Sequence, residues 1–216
     1  MVRFLSFDTI LQDQKVNLIL DVGANAGQYG SRLRRTGYQG KIVSFEPQKQ
    51  PFGELSEKAR QDGNWTTVNV GLGREDGQAT INLYGDSCLG SMLQMDQSNY
   101  ESKPSGTETI DIRTLDGVFD QYVTANDRVW LKMDTQGFEK QVLAGAEQSL
   151  SRIIGVQMEM SLTPIYDDQP HLDEMIALLR AKGFMLWQLQ RGLCNLETSR
   201  EMECDGIFIH HNYVKN

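Results

Sequence analysis

Cysteine is scarce in this 216-residue chain, and what there is does not pair. Cys88, Cys194 and Cys204 are odd in number and widely spaced, with no Cys-x-x-Cys pair. That excludes a disulfide frame and a cysteine zinc site, and predicts reduced thiols in a cytoplasm. Long apolar runs are missing too. None approaches the ~20 residues that cross a bilayer as a helix. The opening Met1-Val-Arg-Phe-Leu-Ser-Phe-Asp8 meets an acid too early for a signal peptide. Phe4, Phe7 and Leu11 instead fit one face of a short covering helix over 2–13. Positive charge is short, with 21 Lys and Arg against 29 Asp and Glu and a formal net charge of −8. With no basic block to offset this, nucleic acid and anionic membrane are poor partners. His171 opens a helix, and His210 and His211 end a strand. No His/Asp/Glu spacing suits a metal, so none is expected. The length suits one domain over 1–216.

What the chain does have is Leu18-Ile-Leu-Asp-Val-Gly-Ala-Asn-Ala-Gly27, followed by Ile42-Val-Ser-Phe-Glu-Pro47. An apolar run ends in Asp21. A glycine turn through Gly23 and Gly27 opens a helix. A second apolar run then ends in Glu46. This is a strand–turn–helix–strand unit suited to a nucleoside. Glycine lets backbone approach the ligand, and the second acid can accept hydrogen bonds from both ribose hydroxyls. Dinucleotides and S-adenosylmethionine both use such a unit. A dinucleotide fingerprint needs glycine where Asn25 stands, because a pyrophosphate would meet its side chain. Asp21 suits a cation better than a phosphate, and S-adenosylmethionine carries a sulfonium and an ammonium.

Further strands are expected at Trp65–Val70, Arg128–Met133, Ile154–Met160, Phe184–Gln190 and Gly206–His210. Helices are expected at Gln28–Arg35, around Pro51–Ala59, after Gly137, and after a cap at Asp168. Alternating strands and helices imply a parallel sheet covered on both faces. The last two strands have no helix between them and should pair antiparallel. A β excursion with its loop occupies 78–113. Ala79–Tyr84 and Thr107–Ile112 alternate apolar and polar, and they flank a polar segment, Asp86–Gly106. That segment holds few apolar anchors and is expected to form a mobile flap.

In order along the chain stand Ile19-Leu-Asp-Val-Gly-Ala-Asn-Ala-Gly-Gln-Tyr29, Phe45-Glu-Pro47, Arg113-Thr-Leu-Asp116, Leu131-Lys-Met-Asp-Thr-Gln-Gly-Phe-Glu139, Val142-Leu-Ala-Gly-Ala146, Gln157-Met-Glu-Met-Ser161 and Pro164-Ile-Tyr166. With these pieces the chain resembles the FkbM family of S-adenosylmethionine-dependent methyltransferases, from about Asn17 to His210. The resemblance implies the α/β class I methyltransferase fold, a Rossmann-like three-layer sandwich. Its seven-stranded, mostly parallel sheet has strand order 3-2-1-4-5-7-6 with strand 7 antiparallel. It also implies S-adenosyl-L-methionine as cofactor and O-methylation of a sugar or other small-molecule or glycoconjugate acceptor. The rivals are an NAD-type oxidoreductase and a nucleoside-binding module without catalysis.

Site residues follow. Cofactor contacts are expected at Asp21, Gly23, Asn25, Gly27, Glu46, Pro47, Asn69 and Gly71, the last two at the end of the third strand. Catalytic candidates are Asp134, which ends the fourth strand beside the crevice, and Glu159. Capping a helix is the structural alternative for Asp134. Glu159 lies in an apolar strand and must either face the crevice or pair with a core cation. Glu139 is expected to serve as a first-turn acid. Partners are a small-molecule or glycan acceptor, with a homo-oligomer left open.

Overall fold

A computed structural model describes residues 7–98 and 102–214. Its central layer is a seven-stranded sheet. In chain order its members are β1 (Leu18–Val22), β2 (Lys41–Phe45), β3 (Trp65–Val68), β7 (Val129–Met133), β8 (Ile153–Ser161), β9 (Phe184–Arg191) and β12 (Glu203–His210). In space they run β3-β2-β1-β7-β8-β12-β9. All pairs are parallel except those of β12, which is antiparallel to both β8 and β9. The class I methyltransferase order expected from the sequence is the observed one.

The strands form where the residues are apolar on both sides. Every residue of β1 and β7 is buried. Leu18, Leu20 and Val22 point to one face of the sheet, where α4 (Leu115–Tyr122), α5 (Glu139–Ala144) and α6 (Leu172–Ala181) pack. Ile19 points to the other, with α1 (Phe7–Asp13), α2 (Gln28–Arg35) and α3 (Lys49–Arg60). Full burial of a side chain of this size contributes about 1.5–3 kcal/mol, so the two clusters supply most of the driving force. Phe7 and Leu11 are buried as expected of the covering helix; Phe4 lies outside the described residues. No described helix is long and apolar enough to cross a membrane.

Two helices depart from expectation. The helix α4 has no counterpart among the sequence expectations, yet Thr114 caps it by accepting a hydrogen bond from the Gly117 amide at 3.1 Å. The helix α6 begins later than Asp168. Its N-cap is His171, and Asp168 instead sits in a left-handed turn at φ 59°. The first-turn acids Asp173 and Glu174 stand where expected.

The excursion is a small separate sheet of β4 (Gly71–Leu72), β6 (Gly106–Arg113) and β5 (Gly77–Leu83), in that order. A two-residue ladder of β10 (Cys194–Asn195) with β11 (Arg200–Glu201) precedes β12.

Candidate active site

The carboxyl ends of β1, β2, β7 and β8 open, with one end of β12, onto a cavity of about 540 Å³. The turn after β1 forms its floor. Gly23 has φ 74°, and a Cβ there would lie 1.8 Å from the carbonyl oxygen of Asp134. Only glycine lets the ends of β1 and β7 meet this closely, which leaves bare backbone facing the cavity. Asn25 follows at φ 47°, with its side-chain oxygen accepting the Ala26 amide at 2.7 Å.

Glu46 directly follows β2 and is 2% exposed. Its Oε2 accepts the Asn25 amide at 2.7 Å, and its Oε1 accepts the Gln48 amide at 2.8 Å. The two bonds fix the carboxyl and leave further lone pairs for a ligand. Burial pushes its pKa up to about 7, against the pull of the two amides. The sign of the consequence is definite. Between the ordinary carboxyl value and about 7, the folded free protein holds a proton that the unfolded chain releases. Stability of the free protein should therefore rise as pH falls from 8 toward 5.5, by about 2 kcal/mol from this group. Thermal melts of wild type and Glu46→Gln across that range test it. The expected outcome is a flatter pH dependence in the variant; equal slopes would refute the assignment.

Asp21 does not reach the cavity. It is fully buried, accepts the Ser44 hydroxyl at 3.0 Å, and lies 3.5 Å from the Lys132 ammonium. Burial raises its pKa despite these partners. The expected direct contact between Asp21 and a cofactor cation is thus replaced by an ion pair behind the wall. Lys132 lines the cavity, 3.4 Å from Asp134 Oδ2 and 5.3 Å from the centre of the Tyr29 ring. Burial lowers its proton affinity, but Asp134 and Asp21 more than offset that and keep it charged. A lysine inside Val129-Trp-Leu-Lys-Met133 was a readable signal that an acid must lie beside it.

Pro47 and Gly71 line the cavity. Two other expected contacts stand back from it. Asn69 is exposed and donates to the carbonyls of Glu46 and Pro47 at 2.8 and 3.0 Å, bracing that turn. Gly27, at φ 79°, packs under Leu55 and Trp65.

The acids at the other end are grouped. Asp134 and Glu159 both line the cavity, and the Gln136 amide donates to them at 2.9 and 2.8 Å. Asp134 does not cap α5. Glu139 takes the turn instead, accepting the Thr135 amide and hydroxyl at 2.7 and 3.0 Å. Of the two alternatives for Glu159, the crevice is the observed one. Burial raises its pKa well above the usual carboxyl range, and Asp134 and Glu203 push the same way. Glu203 and Asp205 join the lining from β12. Sequence reasoning missed both, although acids alternating in Met202-Glu-Cys-Asp205 are unusual for a buried strand. It missed Gln136 too, which holds a left-handed φ of 53°. No local signal marks it. Among the described residues no group of three or more His, Cys, Asp or Glu is arranged to hold a metal ion.

The described part of the segment Asp86–Gly106 roofs this cavity and is well anchored. Asn25 Nδ2 bonds Ser87 Oγ at 3.1 Å, and Gln48 donates to the Ser87 carbonyl at 3.2 Å. The Ser91 hydroxyl donates to the Gln136 carbonyl at 2.7 Å, and the Tyr166 hydroxyl oxygen lies 3.0 Å from the Leu89 carbonyl. The expected shortage of anchors is not found: Met95 is buried beside Tyr166 with Leu89 and Leu93 against that cluster, Met92 packs on Ile81, Ile110 and Ile112, and polar side chains tie the turn to both walls. Residues 99–101 lie outside the described residues.

Comparison with known proteins agrees with this geometry. The "Methyltransferase FkbM domain" family model matches residues 21–186. Among curated proteins, "Methyltransferase 1" of Beauveria bassiana is 24% identical over 78% of this chain and 72% of its own length. "2-O-methyltransferase NoeI" of Sinorhizobium fredii is 23% identical over 75% of this chain and 70% of its own. Among solved structures, TrmK of M. capricolum, in complex with S-adenosylhomocysteine, superposes with a TM-score of 0.50 at 9% identity, covering 97% of this chain and 70% of that one. A Streptococcus mutans protein, also solved with S-adenosylhomocysteine, gives 0.50 at 12%, covering 96% and 99%. With the strand order, the glycine floor and the acid at the end of β2 all in place, the chain belongs to the FkbM methyltransferase family and is an S-adenosylmethionine-dependent methyltransferase.

Proposed function

We propose that the protein methylates a hydroxyl of a sugar or other small-molecule or glycoconjugate acceptor. The observation that carries this is a single cavity with a nucleoside-type grip at one end and carboxylates at the other. Glu46 would take the ribose hydroxyls, and the open backbone at Gly23 would pass beneath the methionine part. Gly71 and Pro47 would border the adenine. The bound cofactor supplies a methyl carbon already activated by a positive sulfur. The protein's part is to align the oxygen and remove its proton. Asp134 and Glu159, joined by the Gln136 amide, would orient the hydroxyl and accept that proton. The resemblance to a 2-O-methyltransferase supports oxygen as the acceptor atom.

Calorimetry with S-adenosylmethionine, S-adenosylhomocysteine and NAD, each alone, tests the donor end. Only the first two should bind. Glu46→Ala should weaken them about tenfold or more, since a hydrogen bond to a charged group contributes about 1.5–3 kcal/mol. An unchanged dissociation constant would place the ribose elsewhere. Methyl-labelled donor incubated with cell extract, read by mass spectrometry, finds the acceptor. Transfer should persist in EDTA. Loss that magnesium restores would recast Asp134 and Glu159 as metal ligands.

A further inference from the structure

The donor leaves part of the cavity unexplained. Adjacent strands lie about 4.8 Å apart. From Glu46 on β2 to Asp134 on β7 is two strand spacings, roughly 10 Å, which the donor's ribose and methionine would cover. Glu159 on β8 lies one strand further, and Glu203 and Asp205 on β12 lie two strands further. Glu159 sits directly opposite Asp205 in the ladder, and Glu203 is two residues before Asp205 on the same face. All three line the cavity.

These acids lack a cation. None of the three makes an ion pair within 4 Å among the described residues, whose salt bridges lie elsewhere. The two basic residues of the cavity are already engaged. Lys132 is shared by Asp21 and Asp134. Arg32 lies over the rings of Phe7 and Tyr29, at 5.5 and 5.3 Å. Glu203 is only 3% exposed, and its Oε1 has no hydrogen-bond partner among the described residues. Asp205 receives a single amide, from Gln157 at 3.2 Å. A buried carboxyl oxygen left unpaired, as Glu203 Oε1 is among the described residues, is costly. Burial raises the proton affinity of all three acids, and the nearby Asp134 carboxylate pushes the same way. A ligand that brings a positive charge would remove that cost.

We propose that the acceptor bears a protonated amine as well as its hydroxyl, an amino sugar or amino polyol, and that Glu203 and Asp205, with Glu159 alongside, bind the ammonium. The inference rests on the donor site proposed above. It excludes phosphorylated acceptors, whose charge would add to the repulsion.

The test uses the full chain saturated with S-adenosylhomocysteine at pH 7, titrated by NMR with glucosamine, N-acetylglucosamine and glucose. Glucosamine should bind at least tenfold tighter than the other two. Glu203→Gln and Asp205→Asn should each abolish most of that preference while leaving the affinity for S-adenosylhomocysteine within about twofold. Equal affinities for the three sugars would overturn the proposal, as would a preference that survives both substitutions. Failure to bind S-adenosylhomocysteine at all would overturn the donor site, and this inference with it.

Discussion

Lys132→Met should destabilise the protein by about 3–5 kcal/mol, a fall in melting temperature on the order of 10 °C for a chain of this size. Methionine preserves most of the volume, so packing is nearly unchanged. What is lost is the cation that pairs with fully buried Asp21 among the described residues, the same ammonium that holds Asp134. The deficit should depend on pH in a definite sense. Without Lys132 the pKa of folded Asp21 rises further, so stability falls as pH rises above the ordinary carboxyl range. The variant should therefore look worst near pH 8 and recover partly in mild acid. Adding Asp21→Asn removes the orphaned charge and should restore more than half the loss. If the double variant is as unstable as the single one, the pair is not the source of the effect.

Gly23→Ala should lose about 2–5 kcal/mol of stability and most donor binding. A left-handed φ costs a residue with a Cβ roughly 1–2 kcal/mol. Relieving a contact as short as that with the Asp134 carbonyl requires a backbone shift, which typically costs about 1–3 kcal/mol more. The shift must separate the ends of β1 and β7, where the methionine part of the donor is proposed to lie. Calorimetry with S-adenosylhomocysteine at a temperature where the variant stays folded separates the two losses. Full affinity there would show that the turn is only structural. Gly53, whose added Cβ meets nothing within 4 Å, serves as the control position.

Much of the sheet was legible because it rests on local signals. The apolar runs of β1, β2 and β7 each end at an acid or a turn, and the missing helix between the last two strands foretold their antiparallel pairing. That Glu46 stands at the cavity was legible for the same reason: it follows a strand next to a glycine turn. What escaped notice depends on partners distant in sequence. Asp21 looked like a ligand contact until Lys132, 111 residues on, claimed it. The polar segment after Tyr84 looked loose because its anchors, Asn25, Gln48, Gln136 and Tyr166, come from four other stretches of chain. Glu203 and Asp205 reach the cavity because β12 inserts between β8 and β9; the alternating acids were a local sign, but which wall they line depends on that insertion.

The hydrogen bonds through Gln136 run one way. The Tyr166 hydroxyl donates to the amide oxygen at 2.8 Å, and the amide nitrogen donates onward to Asp134 and Glu159. Both amide hydrogens are committed, so the side chain has no second orientation that serves both ends. Asp134 gives one oxygen to the amide and the other to the Lys132 ammonium, while Glu159 gives a single oxygen to the amide. The tyrosine, for its part, is a terminus: its proton faces protein, and it cannot carry a proton out from the acids. For the reaction proposed above, Tyr166 therefore offers the acceptor's proton no exit.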